Sequence, residues 1–177
     1  MKQMWIGLIS AATLLGANGA VAQSSKPVSI GVAAGAAIPT GTLGDSWSTG
    51  YNVTGMLGLH SYASPVGLRV EGMYNHFGGK EEAGDPSAVK IWAGTANLVY
   101  NLQGTGITPY LIGGAGYYGV DRDSPNFPSE NKLGLNGGIG AAFPLSGFNT
   151  FVEARFHHVF TEDHAVQFIP VTFGITF

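Results

Sequence analysis

The chain has no cysteine among its 177 residues. That excludes disulfides, thiolate metal sites and a cysteine nucleophile. Charge is scarce as well: Asp, Glu, Lys and Arg make up 11% of the sequence, against about 25% in ordinary soluble domains. The eight Lys and Arg residues form no cluster, and the formal net charge is −3. Without a basic patch, nucleic-acid binding drops out as a function class. Long apolar runs are also missing. Beyond residue 22 no stretch approaches the roughly 18 uninterrupted apolar residues of a membrane-spanning helix.

What is present begins with MKQMWIGLISAATLLGANGAVAQ. Lys2 gives a short positive start, Met4–Gly16 is almost wholly apolar, and Ala20-Val21-Ala22 is a small-x-small cleavage site. This pattern is a secretory signal peptide over residues 1–22. A membrane anchor is the rival reading, but the apolar run is too short for one. Residues 23–177 then form a single domain, with net charge −4 once Lys2 is removed. An exported, charge-poor domain without a spanning helix has one way to occupy a membrane, a closed β-barrel.

The last ten residues, FIPVTFGITF, carry the strand signal. Ile169, Val171, Phe173, Ile175 and Phe177 alternate with Phe168, Pro170, Thr172, Gly174 and Thr176. A period of two places the first set on one face, bulky and apolar throughout. Similar alternation predicts eight strands near 28–38, 49–61, 66–77, 89–102, 108–120, 132–145, 150–160 and 166–177. Three connectors are short, around 62–65, 103–106 and 146–149. They alternate with four longer polar ones: PTGTLGDSWS, GGKEEAGDPSA, DRDSPNFPSEN and TEDHA. Long loops at one end and short turns at the other fit an outer-membrane up-and-down antiparallel barrel, with both termini in the periplasm. Lipid then covers the apolar face of the last strand, and pairing with the first strand removes both sheet edges. Aromatic residues near strand ends are expected to form two interfacial girdles: Tyr51, Trp92, Tyr118 and Phe160 towards the loops, and Tyr62, Tyr100, Tyr110 and Phe177 towards the turns.

Taken together, the signal peptide, Thr108-Pro109-Tyr110 opening the glycine-rich GGAGYYG strand, the FVEARF strand and the terminal Phe177 resemble the OmpA/OmpX-type small outer-membrane β-barrel family. The resemblance covers the whole of residues 23–177. It implies a bacterial outer-membrane location with outer-membrane lipids as neighbours. It also implies that Phe177, supported by Phe173 and Ile175, is the signal read by the barrel-assembly machinery. On this resemblance the chain is expected to lack the peptidoglycan-binding domain that follows the barrel in some members.

Nine of the eleven acids fall in the long connectors: Asp45, Glu81, Glu82, Asp85, Asp121, Asp123, Glu130, Glu162 and Asp163. The other two, Glu71 and Glu153, fall on inward positions, as do Arg69 and Arg155. The lipid-facing sets contain no Asp, Glu, Lys or Arg, which is where a Lys or Arg would cost about 2–4 kcal/mol at mid-membrane. In an eight-stranded barrel the third and seventh strands lie opposite each other. Arg69 and Glu153 sit at one level above their turns, and Glu71 and Arg155 at the next. Pairs Arg69–Glu153 and Glu71–Arg155 across the lumen are therefore expected, because unpaired buried charge is very costly. The pairs read either as a structural plug or as a constriction. The plug is favoured, since eight strands leave an interior that side chains just fill.

Other motifs carry less. Gly114-x-Gly116-x-x-Gly119 matches the dinucleotide fingerprint by letter, yet lies in a strand with no helix after it. Asp121-x-Asp123 starts like a calcium loop, but Asn126 and Lys132 stand at its sixth and twelfth positions. His157-His158 raises the question of a lipid A deacylase, a class of barrel with a catalytic His and Ser. No serine is near, and adjacent strand residues face opposite ways. The reading is thus a non-enzymatic barrel without cofactor or metal. Its role is envelope-structural, or interaction with an extracellular ligand through the loops. The alternatives are a narrow porin-like channel for small solutes or ions and, with less support, a lipid-modifying enzyme or a soluble ligand-binding barrel.

Overall fold

The computed structural model describes residues 27–60, 64–80, 87–102, 106–122, 130–161 and 165–177. The segment read as a signal peptide, residues 1–22, lies outside them, as does Tyr62. Eight strands form in the expected order: β1 (Val28–Thr40), β2 (Gly50–Leu59), β3 (Val66–Phe77), β4 (Val89–Asn101), β5 (Thr108–Arg122), β6 (Glu130–Leu145), β7 (Phe148–Val159) and β8 (Val166–Thr176). Each pairs antiparallel with its sequence neighbour, and β8 pairs with β1 to close the barrel. Ile30 and Phe177 exchange both backbone hydrogen bonds, at 3.1 and 2.8 Å, so the seam extends to the last residue. No backbone edge is left to face hydrocarbon, which is the condition for a sheet to span a membrane.

Burial alternates along the strands as the side-chain period requires. Val53, Val70, Leu98, Ile139, Val152 and Phe173 point outward and are among the most exposed apolar side chains. Two girdle assignments are corrected. Tyr110 and Tyr118 are 4% and 0% exposed, because both share the inward parity of β5 with Ile112. Tyr51, Trp92, Tyr100, Phe160 and Phe177 remain outward. β5 and β6 also run further than the sequence suggests, so Asp121 and Glu130 belong to strands, not to a loop. One element was not foreseen: a short helix α1 (Gly41–Ser46) in the β1–β2 connector, entered through Gly41 at φ 58°. That backbone region favours glycine.

Candidate functional site

The lumen is filled in three layers. Towards the turn end, Ala33, Met56 and Phe151 pack into one apolar cluster, and Val99, Tyr110 and Ile112 into another. Towards the loop end, Met73, Phe77, Val89, Ile91, Tyr118, Val159 and Phe168 build a larger one with Leu43 and Trp47. Between these lies a charged layer from β3 and β7.

Arg69 Nη2 donates to Glu153 Oε2, and Arg155 Nη1 donates to Glu71 Oε2 at 2.6 Å. Both cross-lumen contacts join opposite walls. Two further contacts close the ring along each strand: Arg69 Nε to Glu71 Oε1 and Arg155 Nε to Glu153 Oε1, each 2.8 Å. The Arg69 Nε–Glu71 Oε1 approach lacks hydrogen-bond alignment, so it acts as a charge contact. Each carboxylate thus touches both guanidiniums, and the four side chains are at most 11% exposed. Neutral donors complete the shell. Tyr110 Oη donates to Glu153 at 2.8 Å, while Asn97 Nδ2 and Thr95 Oγ1 donate to Glu71 at 3.1 and 3.3 Å. Asn136 then donates to Asn97 at 2.8 Å. Pairing together with hydrogen bonding is what makes buried charge tolerable. Sequence reasoning missed Tyr110, Thr95, Asn97 and Asn136. Their inward parity was the available signal.

Inward glycines make room for this packing. A Cβ at Gly140 would strike the Tyr110 ring, one at Gly174 the Phe151 ring, and one at Gly138 the stem of Arg155. Gly138 and Gly140 of β6 and Gly174 of β8 are therefore seats for large side chains from the neighbouring strands, as close packing demands.

The two histidines separate as adjacent strand residues must. His157 points inward and is fully buried, stacked on Phe168 at 4.8 Å, with Tyr118 Oη 2.9 Å from its Nδ1. His158 points outward and meets the Gln167 amide at 3.0 Å, flanked by Phe156 and Phe160. Over the loop end, α1 folds inward. Leu43 and Trp47 are buried, Trp47 Nε1 donates to Ser87 O at 3.0 Å, and the Arg122 guanidinium lies 5.2 Å from the Trp47 ring. Lys80 Nζ donates to Gly44 O at 2.7 Å, and Thr42 reaches Ala165 O. The first connector is in this way tied to the bases of the other three.

Of the residues expected to signal assembly, Phe173 and Phe177 are 57% and 60% exposed on the outer wall. Ile175 is partly exposed on the same face, and Phe177 lies 6.1 Å from Phe148. Among the described residues no group of three His, Asp or Glu side chains is arranged to hold a metal ion. At the turn end His60 lies beyond β2. Partial burial, with the Arg69 charge adding to it, holds its imidazole below the ordinary histidine value of 6.5. A neutral histidine favoured by the fold contributes stability above 6.5 that declines as pH falls through that value. The expected nuclear magnetic resonance titration of His60 has its midpoint below 6.5; a midpoint above it would contradict this burial.

Closure, an apolar outer wall and a buried ring of charge in the lumen define a transmembrane β-barrel of the outer-membrane type. The chain belongs to the outer membrane protein beta-barrel domain family, which it matches over residues 8–177. No curated protein sequence matches it. Among solved structures, it superposes on Neisserial surface protein A with a TM-score of 0.69 at 13% identity, covering 85% of this chain and 96% of that one. A major outer membrane protein from Thermus thermophilus gives 0.54 at 15% identity, over 85% and 98%. The outer membrane enzyme PagL gives 0.53 at 17%, over 84% and 97%. At such identities the likeness is one of fold. Because the fold also carries an enzyme, fold alone does not separate an enzymatic from a non-enzymatic role.

Proposed function

We propose that this protein is a non-enzymatic, non-conducting outer-membrane barrel. Its loops face the cell exterior, its termini face the periplasm, and it works through the outer surface or as a structural element of the envelope. The observation that carries this reading is the layered lumen, a closed ring of two guanidiniums and two carboxylates between apolar clusters. An ion crossing it would have to break the ring and pass two dry layers. Eight strands give little spare width for that. The connector containing α1, tied to the other three, offers a preformed face for a partner, and the sequence of the long connectors is rich in acids. Phe177, with Phe173 and Ile175, serves as the assembly signal on this reading. Against catalysis, His158 contacts Gln167, Phe156 and Phe160, none of which supplies a nucleophilic hydroxyl or a carboxylate.

The test is conductance of the refolded mature chain in planar bilayers, with folding verified by heat-dependent electrophoretic mobility. Silence from folded protein is expected. Discrete steps that change when Arg69 or Glu153 is replaced would establish the narrow channel instead.

A further inference from the structure

His157 and His158 grip the same short segment from opposite sides. In the β7–β8 register His157 stands across from Phe168 and His158 across from Gln167. His157 holds the start of β8 from the lumen, through its ring stack on Phe168. His158 holds it from the outer face, through the Gln167 amide.

That segment is also the seat of α1. Thr42 Oγ1 donates to Ala165 O, and Gln167 Oε1 lies 2.8 Å from the position a Cβ would take on Gly41. Phe168 shares one apolar cluster with Leu43 and Trp47, the buried side chains of the α1 connector. The first residues of β8 thus join the two histidines to the element that covers the loop end.

Both grips use an uncharged imidazole. An amide nitrogen can only donate, so His158 Nδ1 accepts from Gln167 Nε2 and carries no proton. A proton placed there sets donor against donor and turns the amide, moving the oxygen packed against Gly41. On the lumen side, Tyr118 Oη engages His157 Nδ1, and the buried Nε2 has no partner. A charged ring carries N–H on both nitrogens. Its Nε2–H would be a buried cationic donor without an acceptor, which is costly.

The neighbours do not relieve that cost. Tyr118 of β5 is already engaged, Arg155 on the same strand and face is itself a cation, and Glu71 of β3 is committed to Arg155. β6 supplies Asn136 in register with His157, and Lys132 in register with Tyr118. β4 and β8 bring Val89, Ile91 and Phe168 to this layer. Asp45 of α1 is exposed, and Arg122 and Lys80, the cations that touch the α1 connector, add no acceptor. Around His158 stand Leu135, Phe156, Phe160 and Gln167, none of them ionisable.

We infer that His157 and His158 form an acid-released latch: protonating them loosens the start of β8 and frees the α1 connector from the loop end. The connector is docked where the rings are neutral and comes away as pH falls through the histidine range. This goes beyond the role proposed above and does not depend on it, since the latch acts whether or not the lumen conducts.

The test follows acrylamide quenching of Trp47 in the refolded mature chain carrying Trp92→Phe, which leaves Trp47 as its single tryptophan. Trp47 is buried, so quenching should be weak at first. It should rise several-fold between about pH 8 and about pH 4, the span in which histidines take up a proton, while heat-dependent mobility shows the barrel still folded. Adding His157→Phe with His158→Gln, which keep a ring and an amide but cannot charge, should abolish the rise. Asp45→Asn should leave it in place. Nuclear magnetic resonance titration of the two imidazoles in the wild type should give the same midpoint as the quenching, a check that needs no variant at either histidine. Constant quenching across the range would overturn the latch. So would an unchanged rise in the double variant, which would assign the opening to carboxylates, or loss of the folded barrel at the same pH. Imidazole midpoints that do not coincide with the quenching midpoint would overturn it as well.

Discussion

Arg69→Glu should lower the stability of the folded barrel by about 3–5 kcal/mol, the cost of breaking a buried ion pair by altering one partner. The substitution leaves three carboxylates facing one guanidinium in a layer closed above and below by apolar side chains. Glu153 loses its cross-lumen donor, and Glu71 loses the neighbour at 2.8 Å. Pairing Arg69→Glu with Glu153→Arg restores the cross-lumen contact and leaves Arg155–Glu71 intact. It also sets like charges beside each other along β3 and β7, so recovery should be partial. Exchanging all four signs rebuilds every contact in the ring and should recover most of the loss. The measurement is equilibrium urea unfolding of the mature chain from lipid vesicles. If Arg69→Glu unfolds at the wild-type midpoint, the ring does not hold β3 to β7.

The ring was legible because it depends on parity and topology alone. Period-two alternation placed Arg69, Glu71, Glu153 and Arg155 inward, and counting eight strands set β3 against β7. The strand-wise contacts that close the ring were not legible, since they depend on how long side chains bend within the lumen. Helix α1 was missed for a different reason. Gly41–Ser46, GTLGDS, reads as a polar loop, and its order comes from Leu43 and Trp47 docking into an apolar layer supplied by other strands. The inward aromatics misled as well. Tyr110 and Tyr118 near strand ends look like girdle residues until the space left by Gly140 and Gly134 shows their rings seated inside.

Glycine position separates two roles that composition cannot, and this gives the second large effect. Gly138 pairs with Arg155 across β6 and β7. A Cβ there would collide with the Ala154 carbonyl oxygen and lie 2.5 Å from Arg155 Cγ and 2.7 Å from Arg155 Cα. Two of those three atoms are backbone and cannot swing aside, while the third belongs to a side chain already fixed by Glu71 and Glu153. Gly138→Ala should therefore destabilise by about 1–3 kcal/mol, as overpacking of a filled core does, and should displace Arg155 from the ring. Gly55 lies on the outer wall of β2, with nothing within 4 Å of an added Cβ. Gly55→Ala removes unfolded-state freedom without a clash and should stabilise by about 0.4–1 kcal/mol. Urea midpoints of the two variants in the same vesicles should move in opposite directions. Equal shifts would mean that the inward glycines of β6 are not seats for β7 side chains and that the close packing of the lumen is wrong.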